Sequence, residues 1–204
     1  MSTSLSDTWL LEYSEEHLMH EVSMLWETAH ALPRHKEEST EYIALLESFA
    51  THLRNLIEFF FYEPSGDYIR AEHFFDDPAL WSHKKTPEIN RLHERASNEV
   101  SHLTRRRISG NPPEKEWEIS KILDNIALVA KQFADKASDK KLHPKVREFL
   151  NLPSNEKLTW IGSNVAHSNV AAKIISGPTI TAAFSAFSAS THTQIISTTG
   201  FKKP

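Results

Sequence analysis

A polar stretch in the middle of the chain contains side chains that could act on a phosphodiester. Arg95 and His102 enclose six residues, and Asn98 and Glu99 lie between them. On an α-helix, at about 100° per residue, these side chains fall within roughly 100° of one another. A guanidinium holds a phosphate through two hydrogen bonds, and an imidazole titrates near neutral pH. The group therefore has the chemistry to cleave RNA without a metal ion.

Arg95, Asn98, Glu99 and His102 form a polar stripe on the helix, and this stripe has a second interpretation, as a solvated helix face. Arg95 and Glu99 are spaced i,i+4, which is the spacing of an intrahelical ion pair. The arginines around the stripe also have two possible roles. Arg105 and Arg106 either contact phosphates beside the cleft or form a charged last turn favoured by the helix dipole. Arg91 is a further candidate for substrate contact.

Apolar residues recur at three- and four-residue intervals in four long segments, which predicts four main helices. These segments cover about 9–32, 42–60, 87–107 and 113–136. The third begins after Thr86, a possible cap, and carries the polar stripe. A short fifth helix is predicted from Pro144 to Leu150, and the aromatic connection 63–87 is expected to pack on the others. The predicted fold is an all-α, up-and-down bundle.

The composition changes at about residue 160. Beyond it, serine, threonine and alanine dominate without regular periodicity, and the last acidic residue is Glu156. We therefore predict a helical domain over 1–160 and a disordered or weakly structured tail over 161–204. Four tryptophans of the helical domain are expected to lie in the core or to pack on it, and none to form a stacking platform. They are Trp9, Trp26, Trp81 and Trp117.

Composition also limits the classes of function. The chain has no cysteine, which excludes a disulfide framework and a thiol nucleophile. No window approaches the roughly 20 apolar residues of a membrane helix, and the amino terminus lacks the features of a signal peptide. A cytoplasmic protein is therefore expected. The net charge of −4 disfavours charge-driven binding to duplex DNA.

A metal site is a remote alternative. Glu27 with His30, and Glu99 with His102, both have the Glu-x-x-His spacing of di-metal helical bundles. Such a bundle also needs a glutamate from each of two further helices, and Glu58 and Glu118 are only loosely placed for that role. We therefore expect no metal and no cofactor.

Three segments together resemble small bacterial proteins of the HEPN superfamily. They are Leu53-Arg-Asn-Leu-Ile-Glu-Phe-Phe60, Ala71-Glu-His-Phe-Phe-Asp-Asp-Pro78, and the stripe from Arg95 to Arg107. Members of that superfamily are helical bundles, and many are metal-independent endoribonucleases. They dimerise so that two copies of a motif of Arg, four to six residues, and His share one cleft.

This resemblance implies an RNA-binding or RNA-cleaving homodimer that forms through the third helix, in a bacterial defence or toxin–antitoxin context. Arg95 would stabilise the phosphate and His102 would act as general base, with Asn98 or Glu99 orienting them. Active members usually have Asn, Asp or His directly after the arginine, where this chain has Ala96. That departure favours the alternative of a non-catalytic dimerisation or interaction module.

Overall fold

The computed structural model describes residues 5–63, 65–82, 84–101 and 116–164. Within these ranges every regular element is helical, so the predicted all-α fold is confirmed. The α-helices are α1 (Asp7–Tyr13), α2 (Met19–Ala31), α3 (Thr40–Phe61), α4 (Pro87–Arg95), α5 (Ile119–Lys136), α6 (Pro144–Asn151) and α7 (Ser154–Asn164). A π turn, Ser14–Leu18, joins α1 to α2, and a second, Ala96–Ser101, extends α4. No described helix is long and apolar enough to cross a membrane.

The bundle is organised around α3. This helix begins at a serine cap, where Ser39 Oγ accepts a hydrogen bond from the Tyr42 amide at 3.1 Å. Its apolar stripe is buried from Phe49 to Phe60, and the helix packs against α2, α4, α5 and the π turn Ala96–Ser101. The predicted cap of α4 is also present, because Thr86 Oγ1 accepts from the Ile89 amide at 3.2 Å. The long central helix thus fixes where α4 and its polar stripe lie.

Aromatic rings fill the centre of the core. Phe133 of α5 lies within 6.0 Å, centroid to centroid, of five other rings. These rings belong to Phe59, Phe60, Phe74, Phe75 and Trp81. The connection between α3 and α4 supplies three of them, and Trp81 Nε1 donates to the Phe60 carbonyl at 2.8 Å. The prediction that this connection packs on the bundle is confirmed.

The placement of the tryptophans is only partly as predicted. Trp26 and Trp81 are buried, and Trp117 is half-buried against Phe49 at 6.2 Å. Trp9, however, is 41% exposed, so the prediction that it lies in the core or packs on it is wrong. It precedes Leu10, the only buried residue of α1, and its ring lies instead on that of Tyr13.

The fourth predicted helix begins later than expected. The prediction placed its first turn at Pro113, but α5 starts at Ile119. The backbone turns tightly just before it, since the Ile119 amide donates to the Trp117 carbonyl at 2.7 Å and Glu118 has a non-helical ψ of 69°. The Trp117 ring lies 4.4 Å from the guanidinium of Arg95, a contact that the amphipathic pattern does not predict. Residues 113–115 lie outside the described ranges.

The predicted domain boundary at residue 160 falls inside a helix. α7 follows the predicted short helix α6 and continues to Asn164, and Ile161 joins the hydrophobic core at 6% exposure. Sequence analysis missed α7 because Pro153 and the polar residues after it end the apolar periodicity of α6. The prediction for the remaining tail, 165–204, lies outside the described residues.

Two basic side chains cap the carboxyl-terminal ends of helices. Arg147 donates to the carbonyls of Ala134 and Ala137 at the end of α5. Lys157 is 1% exposed, and its Nζ donates to the carbonyls of Phe149 and Leu150 at the end of α6. Both groups satisfy carbonyls that a helix end leaves without intrahelical partners.

Lys157 makes the stability of the protein depend on pH. Burial lowers the pKa of its ammonium to about 8, from an ordinary value of 10.5. The unfolded chain therefore binds more protons than the folded chain between pH 8 and 10.5, and stability rises with pH in that window. We expect the free energy of unfolding to increase by up to about 3 kcal/mol.

Denaturant unfolding between pH 7.5 and 10 measures this effect. Lys157→Met should abolish most of the increase, since the neutral side chain has no proton to lose. The control is Lys140→Met, at an exposed lysine, which should keep the wild-type pH dependence. An unchanged slope in the Lys157 variant would show that the buried ammonium is not responsible.

Candidate functional site

Arg95 lies at the junction of α4 and the π turn Ala96–Ser101, and it is only 7% exposed. Its Nε donates to both carboxylate oxygens of Glu99, at 3.3 and 3.1 Å. One terminal nitrogen donates to the Glu116 carbonyl at 3.0 Å, and the guanidinium lies 4.4 Å from the centre of the Trp117 ring. The arginine therefore joins the end of α4 to the segment that precedes α5.

The structure thus contains the i,i+4 pair that the alternative interpretation of the stripe predicts. Glu99 remains about one quarter exposed, so Arg95 is the more buried member of the pair. Ala96, the residue that departs from the HEPN pattern, is fully buried next to it. The guanidinium is held in place by a carboxylate, a carbonyl and an indole of the protein itself. Its contacts are those of a residue that positions other groups.

The π turn changes the geometry assumed for the rest of the stripe. Its hydrogen bonds span five residues instead of four, so each residue advances by less than the α-helical angle. Asn98 is half-buried, and its amide donates to the Glu94 carbonyl at 3.0 Å. Asn98 and Glu99 are therefore committed to local contacts. Turns of this kind occur often at functional sites, which keeps this segment a candidate.

The remaining predicted site residues divide in two. Arg91 lies one turn before Arg95 and is exposed, so a ligand can reach it. His102, Arg105 and Arg106 lie outside the described residues. The predicted pairing of Arg95 with His102 therefore stays a prediction.

A second polar cluster, which sequence analysis missed, joins α2 to α3. Glu21 Oε2 accepts hydrogen bonds from His52 Nδ1 at 2.7 Å and from the Asn55 amide at 3.1 Å. Burial of Glu21 opposes its ionisation, but these two hydrogen bonds outweigh burial and hold its pKa below the usual range. Burial and the neighbouring His52 lower the pKa of His20, whose ring lies 5.4 Å from that of His52. Glu21 is thus an ionised, partly exposed carboxylate between α2 and α3.

A third cluster lies further along α3 and touches α4. Glu58 Oε1 contacts His93 Nε2 at 3.1 Å, and the Tyr62 hydroxyl contacts His93 Nδ1 at 3.2 Å. The other oxygen of Glu58 lies 3.9 Å from a terminal nitrogen of Arg70. The partners of His52, Glu58 and Tyr62 lie 31 to 35 residues away in the sequence, so these contacts have no local signature.

The residues of the di-metal alternative make other contacts. His30 Nδ1 lies 3.3 Å from the Trp26 carbonyl, and Glu118 pairs with Lys121. Glu58 is engaged with His93, as described above. Among the residues that the structure describes, no three His, Asp or Glu side chains are arranged to hold a metal ion.

The fold and these contacts define an all-α protein with an arginine-centred helix junction and two polar clusters along its central helix. Searches against family models, curated proteins and solved structures found no match to this chain.

Proposed function

We propose that this chain is a HEPN-like RNA-binding protein that cleaves single-stranded RNA without a metal ion. The observation that carries the proposal is the π turn Ala96–Ser101, which occupies the six residues between Arg95 and His102, because turns of this kind occur often at functional sites. An exposed Arg91 on the same helix offers a phosphate contact. Because the chain has a net charge of −4, RNA binding would depend on this local basic site and not on the overall charge.

Arg95 has a different role in this proposal from the one its motif implies. Because its guanidinium is buried against Glu99 and Trp117, it acts as a positioning residue for the turn, and the phosphate is left to Arg91 and the arginines after His102. His102 is the general base towards the ribose 2′-hydroxyl. Two chains would bring two such helices together in a homodimer through α4.

A non-catalytic interaction module is the second candidate function. The burial of Arg95 and Ala96 favours it, because buried residues of the motif cannot contact RNA. The exposed side of α4 would then serve as a protein-binding surface. In that case the homodimer or a partner protein would cover the exposed side of α4, and no RNA would be cut.

An assay of RNA cleavage in the presence of a chelator separates the two candidates. We expect the wild-type dimer to cut single-stranded RNA and His102→Ala to lose the activity by about 100-fold or more, the usual contribution of a general base. The control is His35→Ala, at an exposed histidine in the loop before α3. Size-exclusion chromatography should show a dimer. A monomer that leaves the RNA intact would favour the interaction module.

A further inference from the structure

A cavity of about 400 Å³ opens between α1, α3 and the segment after α3. Its walls are largely apolar and aromatic, with Trp9 and Tyr13 on one side and Leu56 and Phe59 on the other. The π turn Ser14–Leu18 forms part of its rim. This volume suits one heteroaromatic ring system with its substituents, and cavities of this kind with a few polar groups are typical ligand sites. None of these residues belongs to the RNA-cleaving motif.

Arg70 lines this cavity with hydrogen-bonding capacity that the protein does not use. The residue is 7% exposed, and its buried Nε has no hydrogen-bond partner. Its closest carboxylate contact, to Glu58, is 3.9 Å long, beyond hydrogen-bond distance. The Tyr68 ring lies 4.7 Å from the guanidinium and holds it by a cation–π contact. A buried donor without an acceptor is costly. The terminal nitrogens of the same guanidinium also make no hydrogen bond to the described residues, so they are the donors that a ligand with acceptor atoms would use.

Acceptors for ligand donors line the same cavity. Glu21 is ionised, and its hydrogen bonds from His52 and Asn55 both go to Oε2, which leaves Oε1 for a ligand among the described contacts. Glu58 and Asp67 add two more carboxylates. A ligand that fits must therefore present several N–H groups to carboxylates and at least one acceptor to a guanidinium.

The charge of the lining decides between ligand classes. Three carboxylates, from Glu21, Glu58 and Asp67, outnumber the guanidinium of Arg70, so a phosphate inside the cavity would be repelled. A simple cation would be attracted by the three carboxylates, but it would leave the donors of Arg70 unused. A neutral ring with both donors and acceptors satisfies both kinds of group. Guanine has this pattern, with N–H donors on one edge and O6 and N7 as acceptors that pair with arginine.

Trp9 provides the stacking surface that such a ring needs. It is 41% exposed at the mouth of the cavity, and its ring is stacked on Tyr13 at 5.1 Å with 23° between the planes. Unpaired bases bind to proteins by stacking on aromatic rings of this kind. We propose that the cavity binds a guanine base between Trp9, Glu21 and Arg70. The base is that of a free nucleoside or of an unpaired nucleotide whose phosphates stay outside.

Guanosine binding, followed by quenching of tryptophan fluorescence in the full-length protein, tests the proposal. We expect saturable binding of guanosine, and binding of adenosine weaker by at least tenfold, because adenine presents fewer donors to the carboxylates. Trp9→Ala should weaken guanosine binding by at least about tenfold, measured by calorimetry because this variant lacks the reporting ring. Glu21→Gln should weaken it similarly, since an amide replaces an acceptor. The control is Glu12→Gln, an exposed residue of α1 outside the cavity, which should bind like wild type.

A second arm identifies the source of the base. Oligouridine with one central guanosine is compared with oligouridine alone, using the wild type and Trp9→Ala. Preferential binding that depends on Trp9 places the base in RNA, whereas binding of guanosine alone places it in a free nucleoside. If neither guanosine nor the guanosine-containing oligonucleotide binds, or if Trp9→Ala and Glu21→Gln bind as wild type does, the proposal is wrong. The result for RNA cleavage is independent of these binding measurements, because none of them involves His102.

Discussion

Replacing Phe133 with alanine is expected to lower the free energy of unfolding by about 4 kcal/mol. The ring is fully buried, and it makes edge contacts with five aromatic rings from α3 and from the connection before α4. Removing it leaves a cavity that these large rings cannot close, and each lost aromatic pair adds to the cost. Urea unfolding followed by far-ultraviolet circular dichroism measures the change.

Leu128 provides the matched control for this substitution. It lies on the same helix, α5, but is 60% exposed, so Leu128→Ala should change the free energy of unfolding by less than about 0.5 kcal/mol. A Phe133 variant that loses no more stability than the Leu128 variant would mean that the aromatic cluster is not the centre of the core. Phe133→Leu should lie between the two, because it restores part of the volume.

The positions of the main helices could be predicted because their buried faces are local patterns. On α3, for example, Phe49, Leu53 and Phe60 recur at helical intervals, and all three are fully buried. The elements that were missed or misplaced lack such a pattern. α5 starts after the tight backbone turn at Trp117, which has no periodic pattern. α7 follows a proline and contributes few core residues, among them Ile161. Periodicity reports the faces that helices bury, and it does not report the contacts that end them.

The candidate site was less predictable for a related reason. The residue types of the motif are visible in the sequence, but Arg95 is buried in part by its contact with the Glu116 carbonyl, 21 residues away. The π turn then shifts the residues that an α-helical projection had placed on one face. Glu21, which lines the cavity, and its partner His52 are 31 residues apart, so neither carries a local sign of the other. Polar sites assembled from separate helices require the fold before their chemistry can be seen.

Replacing Arg95 with alanine is expected to lower the free energy of unfolding by about 2–3 kcal/mol. The substitution leaves the Glu99 carboxylate and the Glu116 carbonyl without the guanidinium, and it uncovers one face of Trp117. The cost is kept below that of a fully buried ion pair because Glu99 is about one quarter exposed and water can reach it. Thermal and urea unfolding should both show the loss.

Arg91→Ala is the matched control, because Arg91 lies one turn earlier on α4 and is exposed. It should alter stability by less than about 0.5 kcal/mol while weakening RNA binding, whereas Arg95→Lys should recover part of the stability by keeping the charge near Glu99.

A double-mutant cycle isolates the ion pair from the packing. If Arg95 acts through Glu99, the combined variant Arg95→Ala, Glu99→Ala should lose less stability than the two single variants added together, by about 1 kcal/mol. RNA cleavage should fall in Arg95→Ala, because the π turn is no longer held in place. It should recover in part in Arg95→Lys, as a positioning role requires. An Arg95→Ala protein with wild-type stability and no cleavage would instead assign the guanidinium directly to the phosphate. That result would require Arg95 to leave Glu99 and Trp117 when RNA binds.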